Sequence, residues 1–369
     1  MDVNSFTFAK MYEQVQEVYM QRCLQLAKLA VGKVAPNPMV GAVLVHNGQI
    51  IAEGYHQQYG GPHAEVYCIQ EALQNHPDKI SDSTLYVSLE PCAHFGKTPP
   101  CADLIIQHKI PKVVIGCRDS FEKVDGKGIA KLKAAGIEVI VGVLEKEAIA
   151  LNKAFFTFHQ LTRPYITLKW AQTANGYISE EGKARLMISN DYTNRLVHSW
   201  RSEHAAIMVG ANTVINDDPL LDNRNWMGPG PKKIVFDPNL KVPVRLRLFN
   251  TADVVIILNT IKDAVSGNII YLKMDKDSMI PDAMRQLHQL NIQSVLVEGG
   301  AFLHQSFIKA GMWDEARVIT NKELLVSKGV AAPVLSEQAK LKTTVLQNDE
   351  VIYLKNQNNS FVHAGTALL

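Results

Sequence analysis

Apolar residues recur along the first third of the chain with two different periods. Met20, Cys23, Leu24, Ala27 and Val31 fall at i, i+3, i+4, i+7 and i+11, the spacing of one helical face. Two strand-like runs follow, 40–45 and 50–55, separated by Asn47-Gly48, a strong hairpin turn. The pattern then predicts a helix over about 63–74, a strand over 84–89, a helix near 101–108, a strand over 112–116, a helix near 128–135 and a strand over 137–143. One more helix, about 144–160, should end before Arg163-Pro164, because the residue preceding a proline is pushed out of the helical region. That stop divides the chain into two expected domains, 1–160 and 161–369.

The second domain restarts with a strand over 165–170. It continues with a helix around 190–201 and strands over 206–209, 233–236, 254–258 and 294–297. A helix is expected after Gly300, and strands near 315–319 and 351–354 close the pattern. The stretch 225–233, Asn-Trp-Met-Gly-Pro-Gly-Pro-Lys-Lys, reads as a surface loop. Strands alternating with helices in both parts predict an α/β protein, with helices on the faces of mixed sheets.

Length agrees with this division, since 369 residues suit two domains of roughly 150–200 residues better than one core. Charge narrows the function. The chain carries 38 Lys+Arg against 36 Asp+Glu, of which 15 and 16 lie before residue 160, leaving 23 and 20 after it. Neither half has the basic excess of a phosphate-backbone reader, which disfavours nucleic acid as a partner and still allows a small anionic substrate. No apolar run approaches the roughly 18 residues of a membrane span, and the first residues lack a charged segment followed by an apolar one. A cytoplasmic protein without membrane attachment is expected.

The five cysteines, Cys23, Cys68, Cys92, Cys101 and Cys117, all lie in the first 117 residues. An odd number in such a chain reads as thiols used for metal binding or catalysis rather than as a disulfide framework. Cys23, Cys68 and Cys117 sit on apolar faces or strands and are expected in the core. The other two belong to a pattern: His63-Ala64-Glu65 at a helix start, then Glu90-Pro91-Cys92 after a strand, then Cys101 opening the next helix. One imidazole and two thiolates leave a position of a tetrahedral Zn²⁺ open, the layout of a catalytic rather than a structural site, which more often has four protein ligands. A carboxylate that is not a ligand, Glu65, is then available to carry protons. H-x-E with P-C-x-x-C is the zinc deaminase signature. Here the two cysteines are separated by eight residues instead of two, which metal geometry permits because only the sulfurs must converge.

The run Glu90-Pro-Cys-Ala-His-Phe-Gly-Lys-Thr-Pro-Pro-Cys101, with Pro36-Asn37-Pro38-Met-Val-Gly41 and His63-Ala-Glu65, resembles the N-terminal half of the bifunctional riboflavin-biosynthesis deaminase–reductases. The resemblance implies a cytidine-deaminase-like zinc domain that hydrolytically deaminates 2,5-diamino-6-ribosylamino-4(3H)-pyrimidinone 5′-phosphate. It places His63, Cys92 and Cys101 on zinc, makes Glu65 the proton shuttle, and puts Asn37, His56, His94 and Lys97 at substrate positions. In the second half no G-x-G-x-x-G follows a strand; instead 294–298 runs into Gly299-Gly300-Ala301, a turn that lets backbone N–H groups approach a phosphate. Together with 209–221, Arg224 and Glu298, it resembles the C-terminal half of the same family. That half implies a dihydrofolate-reductase-like fold and NADPH-dependent reduction of the ribosyl group to a ribityl chain. Gln172, Thr213, Asp217, Gly300, Ala301, Phe302 and Leu303 fall at cofactor positions, and Arg201, Leu221, Arg224 and Glu298 at substrate positions. Three positions depart from the family pattern: Arg185-Leu-Met187-Ile-Ser-Asn190 replaces a Ser-x-Trp-Ile-Thr-Gly-like run, Asn175 replaces an aspartate, and Pro238 replaces a serine. The expected partners are the phosphorylated pyrimidine nucleotide and further copies of the chain. A nucleic-acid base deaminase with an accessory domain, or a lone reductase carrying a structural zinc module, are the rival readings.

Overall fold

The computed structural model describes residues 3–359 apart from 96–98, 122–123, 183–185 and 337. The chain separates into two compact units between Leu161 and Thr162.

The first unit is a five-stranded sheet in the order β2-β1-β3-β4-β5, formed by β1 (Gly41–His46), β2 (Gln49–Tyr55), β3 (Thr84–Leu89), β4 (Lys112–Cys117) and β5 (Glu138–Val141). β1 pairs antiparallel with β2 through the Asn47-Gly48 turn and with β3, whereas β3, β4 and β5 run parallel. Successive strand residues are buried on opposite faces. Ala42, Leu44, Leu85 and Val113 pack under α2 (Ala64–Asn75), α3 (Cys101–Gln107) and α4 (Lys127–Ala134), while Val43, Val45, Tyr86 and Val114 meet α1 (Val3–Lys28). Burial on both faces is why these strands read as continuous apolar runs.

Met20, Cys23, Leu24 and Ala27 form the buried face of α1 as expected, but Val31 lies beyond the helix and is exposed. Cys23, Cys68 and Cys117 are fully buried. Each thiol donates to a strand carbonyl, of Tyr86, Ala52 and Ser88 respectively. The helix expected over 144–160 is broken into α5 (Glu145–Leu151) and α6 (Lys153–Leu161). Asn152 stands at the break, its side-chain amide accepting from the Met39 N–H and donating to the Met39 carbonyl, both at 2.8 Å. A long-range bond has overridden local helical propensity.

The second unit is a ten-stranded sheet, order β10-β11-β9-β8-β7-β12-β6-β13-β15-β14. Its strands are β6 (Tyr165–Gln172), β7 (Ala206–Gly210), β8 (Lys232–Phe236), β9 (Val255–Asn259), β10 (Ala264–Ser266), β11 (Ile269–Lys273), β12 (Ser294–Gly299), β13 (Glu315–Asn321), β14 (Gln338–Leu346) and β15 (Asp349–Asn356). The seven strands from β11 to β13 are parallel, with antiparallel strands added at both edges. α9 (Met279–Gln289) and α10 (Ala301–Lys309) cover one face through Ile280, Met284, Leu287, Leu303 and Phe307. α7 (Asp191–Glu203) packs Val197 and Trp200 on the other, and α8 (Ala211–Asp217) follows β7 directly. The loop expected to reach residue 233 ends earlier, because Lys232 already pairs in β8 and Lys233 is buried. In open parallel sheets ligands bind beyond the carboxyl ends of the strands, and that edge carries the second site.

Candidate active sites

The first site is assembled from three strand-to-helix junctions. β2 approaches the start of α2 so closely that a Cβ on Gly54 would sit 2.4 Å from the Ala64 carbonyl oxygen. Only glycine allows that approach, which fixes His63, extended at the N-cap, and Glu65 in the first turn. After β3, the Glu90 carboxylate is buried and accepts the N–H groups of Gly126, Gly128 and Ile129 at 3.0–3.1 Å and of Asp119 at 3.3 Å. It ties the start of α4 to Pro91-Cys92 and satisfies helix N–H groups that lack partners within the helix. Cys101 opens α3, and its N–H donates to Cys92 Sγ at 3.3 Å.

These junctions bring His63 Nδ1 to 3.6 Å from Cys92 Sγ and 3.3 Å from Cys101 Sγ, with all three ligand atoms within 4.8 Å of one another. Ligands placed tetrahedrally at about 2.0–2.3 Å from one zinc ion would be about 3.5 Å apart, so the donor set fits that metal. Hydrogen bonds from Cys101 and His63 hold the Cys92 thiol well below the ordinary thiol range, as a metal ligand requires. Glu65 is 3% exposed and stands outside the triad. Burial raises its carboxyl to about 7, with Cys92 reinforcing the rise and His63 opposing it.

Two expected substrate residues adjoin this centre. The Asn37 amide meets His56 Nε2 at 3.0 Å, while His56 Nδ1 donates to the Pro62 carbonyl at 2.8 Å. The His56 ring lies edge-on to His63, with centroids 5.5 Å apart. Burial lowers the His56 pKa and keeps the ring neutral. His94 is half-buried, its Nδ1 has no hydrogen-bond partner among the described residues, and its ring faces Phe121 at 6.2 Å. Lys97 lies outside the described residues.

The second site is a cleft of about 2340 Å³ at the carboxyl edge of the ten-stranded sheet. That exceeds the roughly 300–1,000 Å³ of a single small-ligand pocket and leaves room for a dinucleotide beside a substrate. Thr213, Asp217, Gly300, Ala301, Phe302 and Leu303 line it, as do Arg201, Leu221, Arg224 and Glu298. Gln172 does not: it ends β6 outside the lining, and its Oε1 accepts from the Trp170 indole at 2.9 Å. At the turn after β12, a Cβ on Gly299 would lie 2.9 Å from the Thr213 side chain, and Gly300 has φ +81°. The missing side chains keep the floor open for a phosphate beside the first N–H groups of α10.

Next to this turn, Glu298 is gripped by Arg201, whose Nε and Nη2 donate at 2.7 and 2.8 Å. Lys169 Nζ stands 3.8 Å away. Arg201 also donates to the Asp222 carbonyl, and Arg224 pairs with the Asp222 carboxylate. Burial pushes the Glu298 carboxyl upward, but Arg201 and then Lys169 overcome it and hold it at about 2. Burial lowers Lys169 and His198, both lining the cleft. Lys169, His198 and Asp222 are the site residues that sequence reading missed. Lys169 shows in the sequence only as a lone cation in the mostly apolar β6, which does not by itself mark a site. Of the departing positions, Met187 and Pro238 line the cleft. Asn175 closes the neighbouring turn by donating to the Val326 carbonyl at 2.7 Å. Arg185 lies outside the described residues.

Residues 13–117 match the cytidine and deoxycytidylate deaminase zinc-binding region, and residues 164–353 match the RibD C-terminal domain. Over 358 residues the chain is 38% identical to the riboflavin biosynthesis protein RibD of Aquifex aeolicus, covering 94% of this chain and 99% of that one. The chain belongs to the RibD family. RibD of Escherichia coli is 33% identical over 332 residues, covering 84% of this chain and 89% of its own length. Among solved structures, the diaminohydroxyphosphoribosylaminopyrimidine deaminase/5-amino-6-(5-phosphoribosylamino)uracil reductase of Thermotoga maritima superposes with a TM-score of 0.85 at 34% identity, covering 94% and 99% of the two chains. RibD of Acinetobacter baumannii does so with a TM-score of 0.85 at 29% identity, covering 93% and 99%. This RibD chain is therefore a bifunctional deaminase and reductase of riboflavin biosynthesis, with a cytidine-deaminase-like zinc-binding unit followed by a RibD reductase unit. No helix among the described residues is long and apolar enough to cross a membrane.

Proposed function

We propose that residues 1–160 deaminate 2,5-diamino-6-ribosylamino-4(3H)-pyrimidinone 5′-phosphate and that residues 161–369 then reduce the ribosyl group of the product to a ribityl chain with NADPH. The observation that carries the first step is the placement of Glu65, buried beside the His63–Cys92–Cys101 triad and outside it. Zinc held by these three residues would supply a polarised water of lowered pKa. Glu65 is placed to hold and deliver the protons that hydrolytic loss of ammonia requires, and its carboxyl, raised by burial to about 7, suits both directions of transfer. Asn37 and His56 present one donor–acceptor edge to the pyrimidine, and His94 offers its unpartnered Nδ1. Lys97 belongs to the same loop by sequence and is assigned to the substrate on the family pattern.

NADPH would supply the hydride in the second step. Thr213, Asp217 and the turn Gly300-Ala301-Phe302-Leu303 hold the dinucleotide, and Gln172 acts from behind Trp170 rather than by lining the cleft. Arg201, Leu221 and Arg224 bind the substrate. Glu298, ionised and fixed by Arg201, orients sugar hydroxyls beside Lys169. The protein is further read as a cytoplasmic homo-oligomer without nucleic-acid partners, a reading supported by free thiols and a net charge of +2.

The ligand assignment is tested by metal analysis of Cys92→Ser and Cys101→Ser. Each should purify with far less zinc than the parent and release no ammonia from the diaminopyrimidine nucleotide. Full zinc occupancy in either variant would refute the triad.

A further inference from the structure

We propose that His304 is a positioning residue of the reductase site, whose Nε2–H joins the ends of β6 and β12 and so sets Lys169 against Glu298. This role rests on the reductase reading above and deepens it.

Lys169 and Glu298 leave the sheet from adjacent parallel strands, at the point where regular pairing stops. The β6–β12 ladder ends with Leu168 opposite Val297, and the register of β12 on β7 shifts between Val297 and Gly299. Lys169 and Glu298 each follow the last paired residue of their strand. The separation at which they emerge therefore needs a tie beyond the ladder. Their chemistry depends on that separation. Lys169 Nζ stands 3.8 Å from Glu298 Oε2, while Arg201 donates to the same carboxylate at 2.7 and 2.8 Å. Arg201 anchors Glu298 from α7, and the backbone of β6 places Lys169.

His304 supplies the tie. It lies on α10 and is 1% exposed, with Nε2 at 3.1 Å from both the Lys169 and the Val297 carbonyl oxygens. Its Nδ1 faces the Gly300 carbonyl at 3.0 Å, and that carbonyl already accepts the His304 backbone N–H at 3.1 Å. Burial lowers the pKa of the ring and holds it neutral, with a single N–H. The proton belongs on Nε2, where two strand carbonyls share it. The Trp170 ring packs against the imidazole at 5.5 Å between centroids.

One buried side chain thus touches the backbone of Lys169, of the residue before Glu298 and of the phosphate turn at Gly300. Hydride transfer depends on the distance between the nicotinamide and the sugar carbon, and a displacement of about 1 Å can cost about 10²-fold in rate. An apolar residue at 304 would remove the donor from two carbonyls in a dry interior, and the end of β6 would shift to find another.

A Gln amide at 304 can place its N–H group where Nε2 stands, whereas Asn reaches only the position of Nδ1; both lack the ring. Full-length His304→Gln, His304→Asn and His304→Leu should be assayed with NADPH and the deaminated nucleotide. Ammonia release and urea unfolding should be followed on each. In the Asn and Leu proteins kcat for reduction should fall about tenfold to 10²-fold, with the KM for NADPH within about threefold of the parent. His304→Gln should keep kcat within about threefold of the parent, although it loses stability as the other two do. Ammonia release should stay at the parental rate in all three. Asn and Leu proteins within about twofold of the parental kcat, or Gln and Asn proteins that fall together, would make the imidazole a packing group only. Either result overturns this assignment and leaves the reductase reading standing. A parent that oxidises no NADPH with the deaminated nucleotide removes both. If His304→Leu does not fold, the contrast between Gln and Asn decides alone.

Discussion

At the residue scale, the first site depends on one carboxyl, Glu65, which hydrogen-bonds with Cys101 without joining the ligand set. Glu65→Gln keeps the shape and the triad but cannot accept or deliver a proton. We expect zinc content equal to the parent and a fall in the ammonia-release rate of about 10²–10⁴-fold. Deamination near the parental rate would show that Glu65 is not the proton carrier. Glu298 works in the opposite way, as a permanent charge. Its carboxyl is held at about 2, below the ordinary value of 4.5, so its stabilising contribution is complete above pH 4.5 and disappears as pH falls toward 2. The shift corresponds to on the order of 3 kcal/mol. Glu298→Gln leaves Arg201 and Lys169 buried without their acid, so it should destabilise the second unit at neutral pH. It should also flatten the acid dependence of unfolding between pH 5 and 2, as followed by urea titration. An acid limb as steep as the parent's would place the titrating group elsewhere.

At the scale of elements, the zinc triad was legible because a metal demands particular residue types at converging positions. A metal ion accounts for His63, Cys92 and Cys101 together, and no apolar face or turn does. The thiols of Cys23, Cys68 and Cys117 were legible through the apolar faces they share. Lys169 was not, because a lone lysine in a buried strand acquires meaning only when Glu298 arrives from β12, 129 positions later. The edge strand β14 was missed for a related reason. Leu341 and Val345 are exposed, so no buried face imposes a period on its sequence. The break between α5 and α6 depends on Asn152 reaching Met39, a contact that local propensity does not register. That contact has a functional consequence, since Met39 lies two residues from Asn37. Asn152→Ala should lower stability by about 1–3 kcal/mol through the two lost hydrogen bonds. It should also raise the KM for deamination while leaving zinc content and the reductase rate at parental values. An unchanged KM would mean that the Asn37 segment is held by other contacts.

At the scale of the whole molecule, one chain joins two sheets whose sites have nothing chemical in common. The first is built from protein ligands for a metal and a buried acid; the second is a cleft with an open glycine floor and a charged substrate end. All five cysteines fall in the first unit, and the second contains none. The near-neutral charge, which disfavours a polyanionic partner, has its counterpart in the second cleft, whose lining mixes cations with acids. Because neither proposed site borrows a residue from the other, defects in the two should complement. A mixture of Glu65→Gln and Glu298→Gln proteins should convert the diaminopyrimidine nucleotide to the ribityl product, although neither variant does so alone.

The most direct measurement follows ammonia and NADPH together in one reaction of the purified protein with 2,5-diamino-6-ribosylamino-4(3H)-pyrimidinone 5′-phosphate. Ammonia should appear first, and NADPH should then be consumed in equal amount. With Glu65→Gln both signals should be nearly lost, and adding the deaminated nucleotide should restore NADPH consumption alone. NADPH consumed without ammonia release, or a Glu65→Gln protein inactive on the deaminated nucleotide, would contradict two sequential reactions at separate sites.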